Sequence, residues 1–258
     1  MKTLLIGLVQ LVGLVLQPAY GAEPEALSVI EAADRIRNPT QPFRVIDTLT
    51  EYVDGKPQTR TVLIIHAKRN RDTARFSNLI RYLEPGRDAG KLVLMDSANL
   101  WLYDPAPKAS IRISPEQRLT GQASDADVLS VDLAKDYDAK ILGAENIQDA
   151  DRQDRDCWHL DLRSAAPEAT YNRIEYWVER ERNRPVKGKF YADSGRLLKI
   201  AYYHRYGSAL GSERPTEVIL LDAVNPNLAT TIAMSDFRYE DIPASWFQRD
   251  FLPRVPQE

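Results

Sequence analysis

A thiol, an imidazole and a carboxylate alternate along one extended segment of the sequence, at Cys157, His159 and Asp161. On a β-strand these side chains would share one face, in an order that suits a nucleophile, a base and an orienting acid. Neighbours on one strand face are about 7 Å apart, however, whereas proton transfer requires hydrogen-bonding distance. The residues between them are apolar, so we expect the trio to face solvent and the segment to carry no catalytic site.

The other candidates for metal or cofactor chemistry are isolated in the sequence. His66 and His204 stand alone, and neither a Cys-x-x-Cys nor a His-Glu-x-x-His motif is present. Gly207 and Gly211 lie near each other but lack the Lys-Ser/Thr pair and the following helix of a phosphate-binding loop. We therefore predict no metal, no cofactor and no enzymatic reaction.

The N-terminus has the pattern of a secretory signal peptide. Lys2 precedes an apolar stretch at residues 4–16, which is shorter than the roughly 20 residues of a membrane-spanning helix. Small residues predict cleavage after Gly21, and no cysteine is present there to carry a lipid anchor. An uncleaved N-terminal anchor is the alternative. We predict a signal peptide over residues 1–21 and a single domain over residues 22–258, exported in soluble form.

Composition narrows the class of partner. The formal net charge is −3, with charges of both signs interspersed, so the chain lacks the basic face that nucleic-acid binding requires. One cysteine allows no intrachain disulfide, and a hydrophobic content of 43% is enough for a core that stabilises the chain without one. We expect a monomer that binds no nucleic acid.

Residues 81–105 contain short extended segments joined by turns. The apolar runs at residues 92–95 and 100–103 end at polar turns, at residues 96–99 and at Asp104-Pro105. Similar patterns predict strands at residues 43–53, 62–65, 73–83, 109–113, 137–147, 157–162, 174–180, 185–192, 196–206, 217–223 and 228–237. These strands, bounded by turn residues, predict an antiparallel β architecture.

Helical spacing of apolar residues is limited to a few short stretches. One runs from residue 26 until Asn38 and Pro39 end it. A second begins at Ser124, which has N-cap chemistry, and continues through Leu133. Between the strands and this helix, residues 114–120 are expected to form a turn or exposed loop. The sequence therefore predicts a mostly β protein with a few helices.

Two stretches of the chain resemble the outer membrane lipoprotein-sorting proteins, a group within the LolA-like periplasmic carriers. The first resemblance is carried by Arg81, Leu83, Pro85, Gly90, Trp101, Tyr103 and Pro105. The second covers residues 235–247, which are similar to the closing strand and terminal helix of the group. The resemblance implies a curved antiparallel sheet that forms an incomplete (half) barrel, covered by short helices over an apolar cavity that accepts acyl chains.

If the chain shares that cavity, apolar faces of its strands should line it. The expected lining residues are Leu79, Arg81, Leu83, Leu100, Leu102, Trp158, Leu160, Leu162, Ile174, Tyr176 and Val178. For any single aromatic residue among them, ordinary core packing is the alternative interpretation. In LolA a cavity arginine directly precedes a proline, whereas Arg75 and Arg81 do not, so the arginine that would hold the cover shut is left open.

The resemblance implies a periplasmic carrier that binds lipid or lipoprotein acyl chains and transfers them towards the outer membrane. It also implies an inner-membrane lipid-handling transporter as partner. The alternative is a periplasmic sensor or regulatory module on the same fold, which responds to lipid and binds a segment of a membrane protein. Such sensors tend to carry a further C-terminal domain, and the chain ends soon after Phe251, so the carrier is favoured. A secreted hydrolase is disfavoured because the sequence contains no nucleophile constellation.

Overall fold

The computed structural model describes residues 24–96, 99–114, 118–166 and 169–256 of the chain. The predicted signal peptide and its cleavage site lie outside these residues. None of the helices in the described part of the chain has the length and apolar character needed to span a bilayer.

The described residues form three α-helices and fifteen β-strands. The helices are α1 (Ala26–Arg37), α2 (Asp125–Val128) and α3 (Leu133–Asp136). The strands are β1 (Phe43–Val53), β2 (Lys56–Arg69), β3 (Phe76–Glu84), β4 (Leu92–Asp96), β5 (Asn99–Asp104), β6 (Ala109–Ile113), β7 (Arg118–Thr120), β8 (Ala123–Ser124), β9 (Tyr137–Gln148), β10 (Asp154–Ser164), β11 (Arg173–Glu179), β12 (Pro185–Tyr191), β13 (Leu197–Ala209), β14 (Ser212–Asp222) and β15 (Leu228–Tyr239). Two short 3₁₀ helices, Ala244–Phe247 and Arg249–Arg254, follow β15.

Thirteen strands form one antiparallel sheet in the order β6-β5-β4-β3-β2-β1-β15-β14-β13-β12-β11-β10-β9. The last strand, β15, pairs with β1 and so joins the two halves of the chain. β6 and β9 are the two edges, and the sheet stays open between them. The predicted fold class, an antiparallel sheet forming an incomplete barrel, is confirmed.

The open side of the sheet is occupied by the chain segment that connects its two edges. Residues 118–136 contain the β7–β8 hairpin, α2 and α3, and α1 packs beside α3 against β9 and β14. Ile30 of α1 and Leu129 of the connecting segment share one core with the strands beneath them. We call α1 together with residues 118–136 the cover, and the sheet face beneath it the inner face.

Local sequence explains the elements that were predicted correctly. α1 ends at Asn38, as its apolar spacing indicates. Asp54 and Gly55 both have positive φ, 50° and 73°, which a two-residue hairpin turn between β1 and β2 requires. In β2 every residue from 61 to 67 is buried, because the cover lies above one face and the C-terminal segment (residues 242–256) lies against the other.

The second predicted helix is wrong in its extent. Ser124 does cap a helix, in a capping box with Asp127, but α2 and α3 are single turns separated by residues 129–132. The Asn78 side chain accepts a hydrogen bond from the Ser130 N–H and donates one to the Ser130 carbonyl, both at 3.0 Å. Asn38 donates to the Val131 carbonyl at 2.8 Å. These side chains hold backbone groups that a continuous helix would use itself. The preceding loop is also partly a strand, since β7 pairs with β8.

The predicted orientation of Leu79, Arg81 and Leu83 towards the cavity is wrong. On β3 the alternate residues, including Ile80, belong to the core under the cover, so Leu79 and Arg81 point to the outer face. Leu83 lies where the β2–β3 register shifts and is not part of that core. Leu79 packs there with Leu252 of the C-terminal segment. Both faces of β3 are covered, so its side-chain pattern alone could not tell the inner face from the outer one.

Candidate functional site

The inner face brings together eight of the predicted cavity residues. They come from β5, β10 and β11, and each either belongs to the main core or packs against it: Leu100, Leu102, Trp158, Leu160, Leu162, Ile174, Tyr176 and Val178. Strand alternation places them on this face. Whether they bind a ligand stays a prediction, but their common position under the cover agrees with the sequence-based expectation.

Two small cavities lie between the cover and the inner face. The rim cavity, about 40 Å³, is bounded by Arg75, Met95 and Leu100 on the sheet side. The inner cavity, about 80 Å³, has a floor that includes Ile174 and Leu220. Cover residues 129 and 131 line both cavities and so separate them. Of the eleven predicted residues, Leu100 and Ile174 line these spaces.

Between the described residues of the cover and the inner face, these cavities leave no room for a long acyl chain. The larger cavity, at about 80 Å³, is roughly half of an engineered apolar cavity of about 150 Å³ that admits benzene. Ligand pockets usually have volumes of about 300–1,000 Å³. A long apolar ligand can therefore enter only if the cover moves away from the inner face.

Ion pairs at the rim join the cover to β2 and β3. Both guanidinium Nη atoms of Arg69 contact the Asp132 carboxylate, Nη2 at 2.9 Å, and Arg75 contacts Asp136. Burial alone would raise the pKa of Asp132, but the hydrogen bonds and charges of Arg69 and Lys135 together outweigh it and hold that pKa below its ordinary value. Arg81 donates instead to the Pro256 carbonyl at 2.6 Å. Arg75, one of the two arginines left open by the sequence, therefore contacts the cover.

A second group of polar residues lies deeper under the cover. Asp127 accepts hydrogen bonds from Lys199 of β13 and, at 3.1 Å, from the Tyr171 hydroxyl. Burial, followed by the charge of Asp127, raises the pKa of Tyr171 well above its usual value. Sequence analysis missed this group because residue 127 is separated from residues 171 and 199 along the chain. Lys199 itself was one available signal, because strand alternation places it on the same face of β13 as Ala201 and Tyr203.

Two carboxyl groups are buried without a full set of partners. Asp47 of β1 is 3% exposed, and its Oδ1 has no hydrogen-bond partner among the described residues. Burial raises its pKa to about 8. Asp125 of α2 is 1% exposed, and burial together with the neighbouring Asp127 charge raises its pKa to about 7. Each acid is therefore held largely or partly in its neutral form near pH 7.

The Cys157, His159 and Asp161 trio lies on the outer face and does not converge. The expectation that it faces solvent is wrong for Cys157, which is fully buried with Trp177 and has its pKa raised to about 12 by burial. His159 stacks on Trp177 at 4.3 Å, and Asp161 accepts from Arg173. Within the described ranges, no group of three or more His, Cys, Asp or Glu side chains could hold a metal ion.

The chain is similar to several solved structures over most of its length. A LolA superfamily protein from Nitrosomonas europaea is 30% identical, with 89% of this chain and 100% of that chain covered and a TM-score of 0.78. A DUF1329 family protein from Desulfovibrio piger is 20% identical, with coverage of 88% and 97% and a TM-score of 0.74. A domain assigned to the outer membrane lipoprotein-sorting proteins of Vibrio parahaemolyticus is 18% identical, with coverage of 89% and 98% and a TM-score of 0.71. These last two show likeness of fold alone.

Sequence comparisons add one match. A family model described as "Uncharacterized protein" matches residues 75–254. That range begins just before β3 and ends with the second 3₁₀ helix, so it contains most of the sheet and residues 118–136 of the cover. No curated protein shows a significant match to the chain.

Proposed function

The chain belongs to the LolA superfamily, and on that premise we propose that it is a periplasmic carrier of lipid or lipoprotein acyl chains. The observation that carries the proposal is the way the cover is attached. Residues 118–136 lie over an apolar inner face and are joined to its rim through ion pairs and side-chain hydrogen bonds, not as strands of the large sheet. Such a cover can lift while the sheet keeps its pairing.

The energies of binding and opening are compatible with reversible loading. Burial of ten methylenes contributes about 8 kcal/mol, which corresponds to roughly micromolar affinity. Opening breaks the Arg69–Asp132 pair, whose arginine is 35% exposed and which contributes about 1 kcal/mol. It also separates the buried Lys199–Asp127 pair and the apolar contacts of the cover, so opening consumes part of the binding energy. A membrane binds one myristoyl chain with an affinity of only about 10⁴ M⁻¹. A carrier that loses part of its binding energy to cover opening can therefore release its cargo to a bilayer.

The signal-peptide pattern and the superfamily support a periplasmic location, with acyl chains received from an inner-membrane lipid-handling transporter and passed towards the outer membrane. No chemical step is required of the protein, because transfer needs only binding and release. Residues 22–258 would act as one carrier domain and as a monomer.

The proposal is tested by titration with a fluorescent fatty-acid probe. We expect saturable binding, with displacement by phospholipid or by an acylated peptide. Leu102 and Leu83 form a matched pair of partly buried leucines, the first packed against the core under the cover and the second outside that core. Leu102→Asp should weaken probe binding at least tenfold in a folded variant, whereas Leu83→Asp should leave it unchanged.

Two results would contradict the proposal. One is the absence of saturable binding by the folded wild-type protein. The other is an equal loss of affinity in both aspartate variants, since binding at the inner face predicts an effect from Leu102 alone. Circular dichroism and thermal unfolding of each variant establish that it is folded before its affinity is compared.

A further inference from the structure

The inner cavity is lined by both apolar and polar side chains. Its floor is formed by sheet residues that include Ile174, Phe190 and Leu220. Its lining also includes Arg37, from the last turn of α1, and Tyr137, at the start of β9. A cavity that accepted only hydrocarbon would gain nothing from these polar groups, because burying them without partners costs free energy.

Arg37 has a donor that the protein does not use. Its Nη2 donates to Asp34 Oδ1 at 2.6 Å and to the Val131 carbonyl at 3.0 Å. Its Nε is buried and has no hydrogen-bond partner within the part of the chain that the structure describes. A buried unpaired donor costs about 1–3 kcal/mol, so such a group in a folded protein calls for a partner such as a water, an ion or a ligand.

Tyr137 supplies a second donor to the same space. Its hydroxyl oxygen accepts a hydrogen bond from the Tyr171 N–H at 3.1 Å, which leaves the hydroxyl proton to be donated elsewhere. The residue is only 6% exposed, and it lines the inner cavity together with Arg37. Two donors at one cavity suit a ligand atom that accepts hydrogen bonds.

The charge around the cavity favours a neutral acceptor over an anion. The Arg37 charge is already balanced by Asp34, and the Lys199 charge by Asp127. Asp136, which also lines the cavity, is paired with an arginine at the rim. A carboxylate would add an unbalanced negative charge to this buried set, whereas an ester or amide carbonyl would accept the same hydrogen bonds without that cost.

We propose that the inner cavity, once residues 118–136 have lifted to admit the chain, is a subsite for the neutral ester or amide carbonyl of an acylated ligand, which accepts hydrogen bonds from Arg37 Nε and the Tyr137 hydroxyl while the hydrocarbon lies along the apolar floor. This inference rests on the proposed carrier function and adds to it the chemical class of the ligand. Acylglycerols and acylated proteins both present such a carbonyl, and free fatty acids do not present a neutral one near pH 7.

Competition with the fluorescent probe compares three ligands of equal chain length: methyl laurate, which has a neutral carbonyl, dodecyl methyl ether, which has none, and laurate, which has a carboxylate. We expect methyl laurate to bind about tenfold more tightly than the ether, because one good hydrogen bond corresponds to about that factor. Laurate should bind no more tightly than the ester. Equal affinities of the ester and the ether for the wild-type protein, or clearly tighter binding of laurate, would overturn the inference and leave the carrier function standing.

Substitutions of Arg37 and Tyr137 test whether these two residues cause the preference for the ester over the ether. Tyr137→Phe removes only the hydroxyl, and Arg37→Lys keeps the charge beside Asp34 but removes Nε–H. In either folded variant the preference for ester over ether should fall to about twofold or less, with ether affinity unchanged. Tyr103→Phe is the matched control, since Tyr103 is also buried but lies in the cluster on the outer face, and it should keep the full preference.

If the two cavity variants weaken ester and ether equally, Arg37 and Tyr137 only support the fold and the subsite is refuted. If no ligand competes with the probe and the probe itself does not bind, the carrier function fails instead.

Discussion

Replacement of Asp47 by asparagine should flatten the pH dependence of stability. Asp47 lies on β1, where it pairs with Leu63 of β2 and Met234 of β15. Its carboxyl group is 3% exposed and burial raises its pKa to about 8, whereas an unfolded chain has an aspartate pKa of about 3.9. Between these two values the folded state binds more protons at this site than the unfolded state does.

The sign of the effect follows from that difference in bound protons. Because the unfolded state binds fewer protons, the free energy of unfolding falls as pH rises from about 4 to about 8, by up to about 1.4 kcal/mol per pH unit. From pH 5 to pH 8 the loss from this one group is at most about 4 kcal/mol. Asparagine has nearly the same shape and does not titrate, so Asp47→Asn removes the loss.

Urea unfolding at pH 5, 6, 7 and 8 measures this difference. We expect the variant and the wild type to have similar stabilities at pH 5, and the variant to be more stable by about 2–4 kcal/mol at pH 8. Asp125, whose pKa is raised to about 7, contributes a slope of the same sign to both proteins and cancels in the comparison. Asp138→Asn, at an exposed position on β9, is the control. Parallel stability curves for wild type and Asp47→Asn would refute the argument.

Three further variants test the attachments of the cover and of the C-terminal segment. Arg69→Gln combined with Arg75→Gln should speed hydrogen exchange in residues 129–136 while lowering global stability by no more than about 2 kcal/mol, since each partly exposed pair contributes about 0–1 kcal/mol. Arg60→Gln, which breaks an exposed pair elsewhere, should leave exchange in these residues unchanged. Unchanged exchange in the double variant would contradict the attachment. Leu252→Ala should cost about 2–5 kcal/mol of stability, because Leu252 is 1% exposed and packs on the outer face of the sheet. Probe affinity should stay the same. A loss of affinity without a loss of stability would show that the C-terminal segment takes part in binding. Arg81→Leu should lower stability by about 1 kcal/mol through loss of the hydrogen bond to Pro256, and loss of lipid retention in a stable variant would place Arg81 in the binding site after all.

The elements of the sheet could be predicted from sequence because their signals are local. Strand alternation, the Asp54-Gly55 turn and the end of α1 at Asn38 each depend on residues a few positions apart, and all three are present in the structure. The Ser124 cap was predicted for the same reason. Physical causes that act within one turn or one hairpin are readable without the fold.

The interior of the site could not be predicted in the same way. The side chain of Asn78 interrupts the helix after α2 from 52 residues away along the chain, and Lys199 meets Asp127 across 72 residues. On β3 the apolar residues occupy both faces, so the direction of Leu79 and Arg81 depended on where the C-terminal segment would pack. In the sequence, Arg37 is an ordinary basic residue at the end of a helix. Only the fold shows that it lines a cavity.

Native mass spectrometry of the mature protein, isolated from periplasm without detergent, tests the carrier function most directly. We expect a fraction of molecules with the added mass of one lipid or acylated ligand, and loss of that mass in a folded Leu102→Asp variant but not in Leu83→Asp. Incubation of the ligand-free fraction with phospholipid vesicles should restore it. A spectrum that shows the polypeptide mass alone, both as isolated and after incubation with vesicles, would contradict the account.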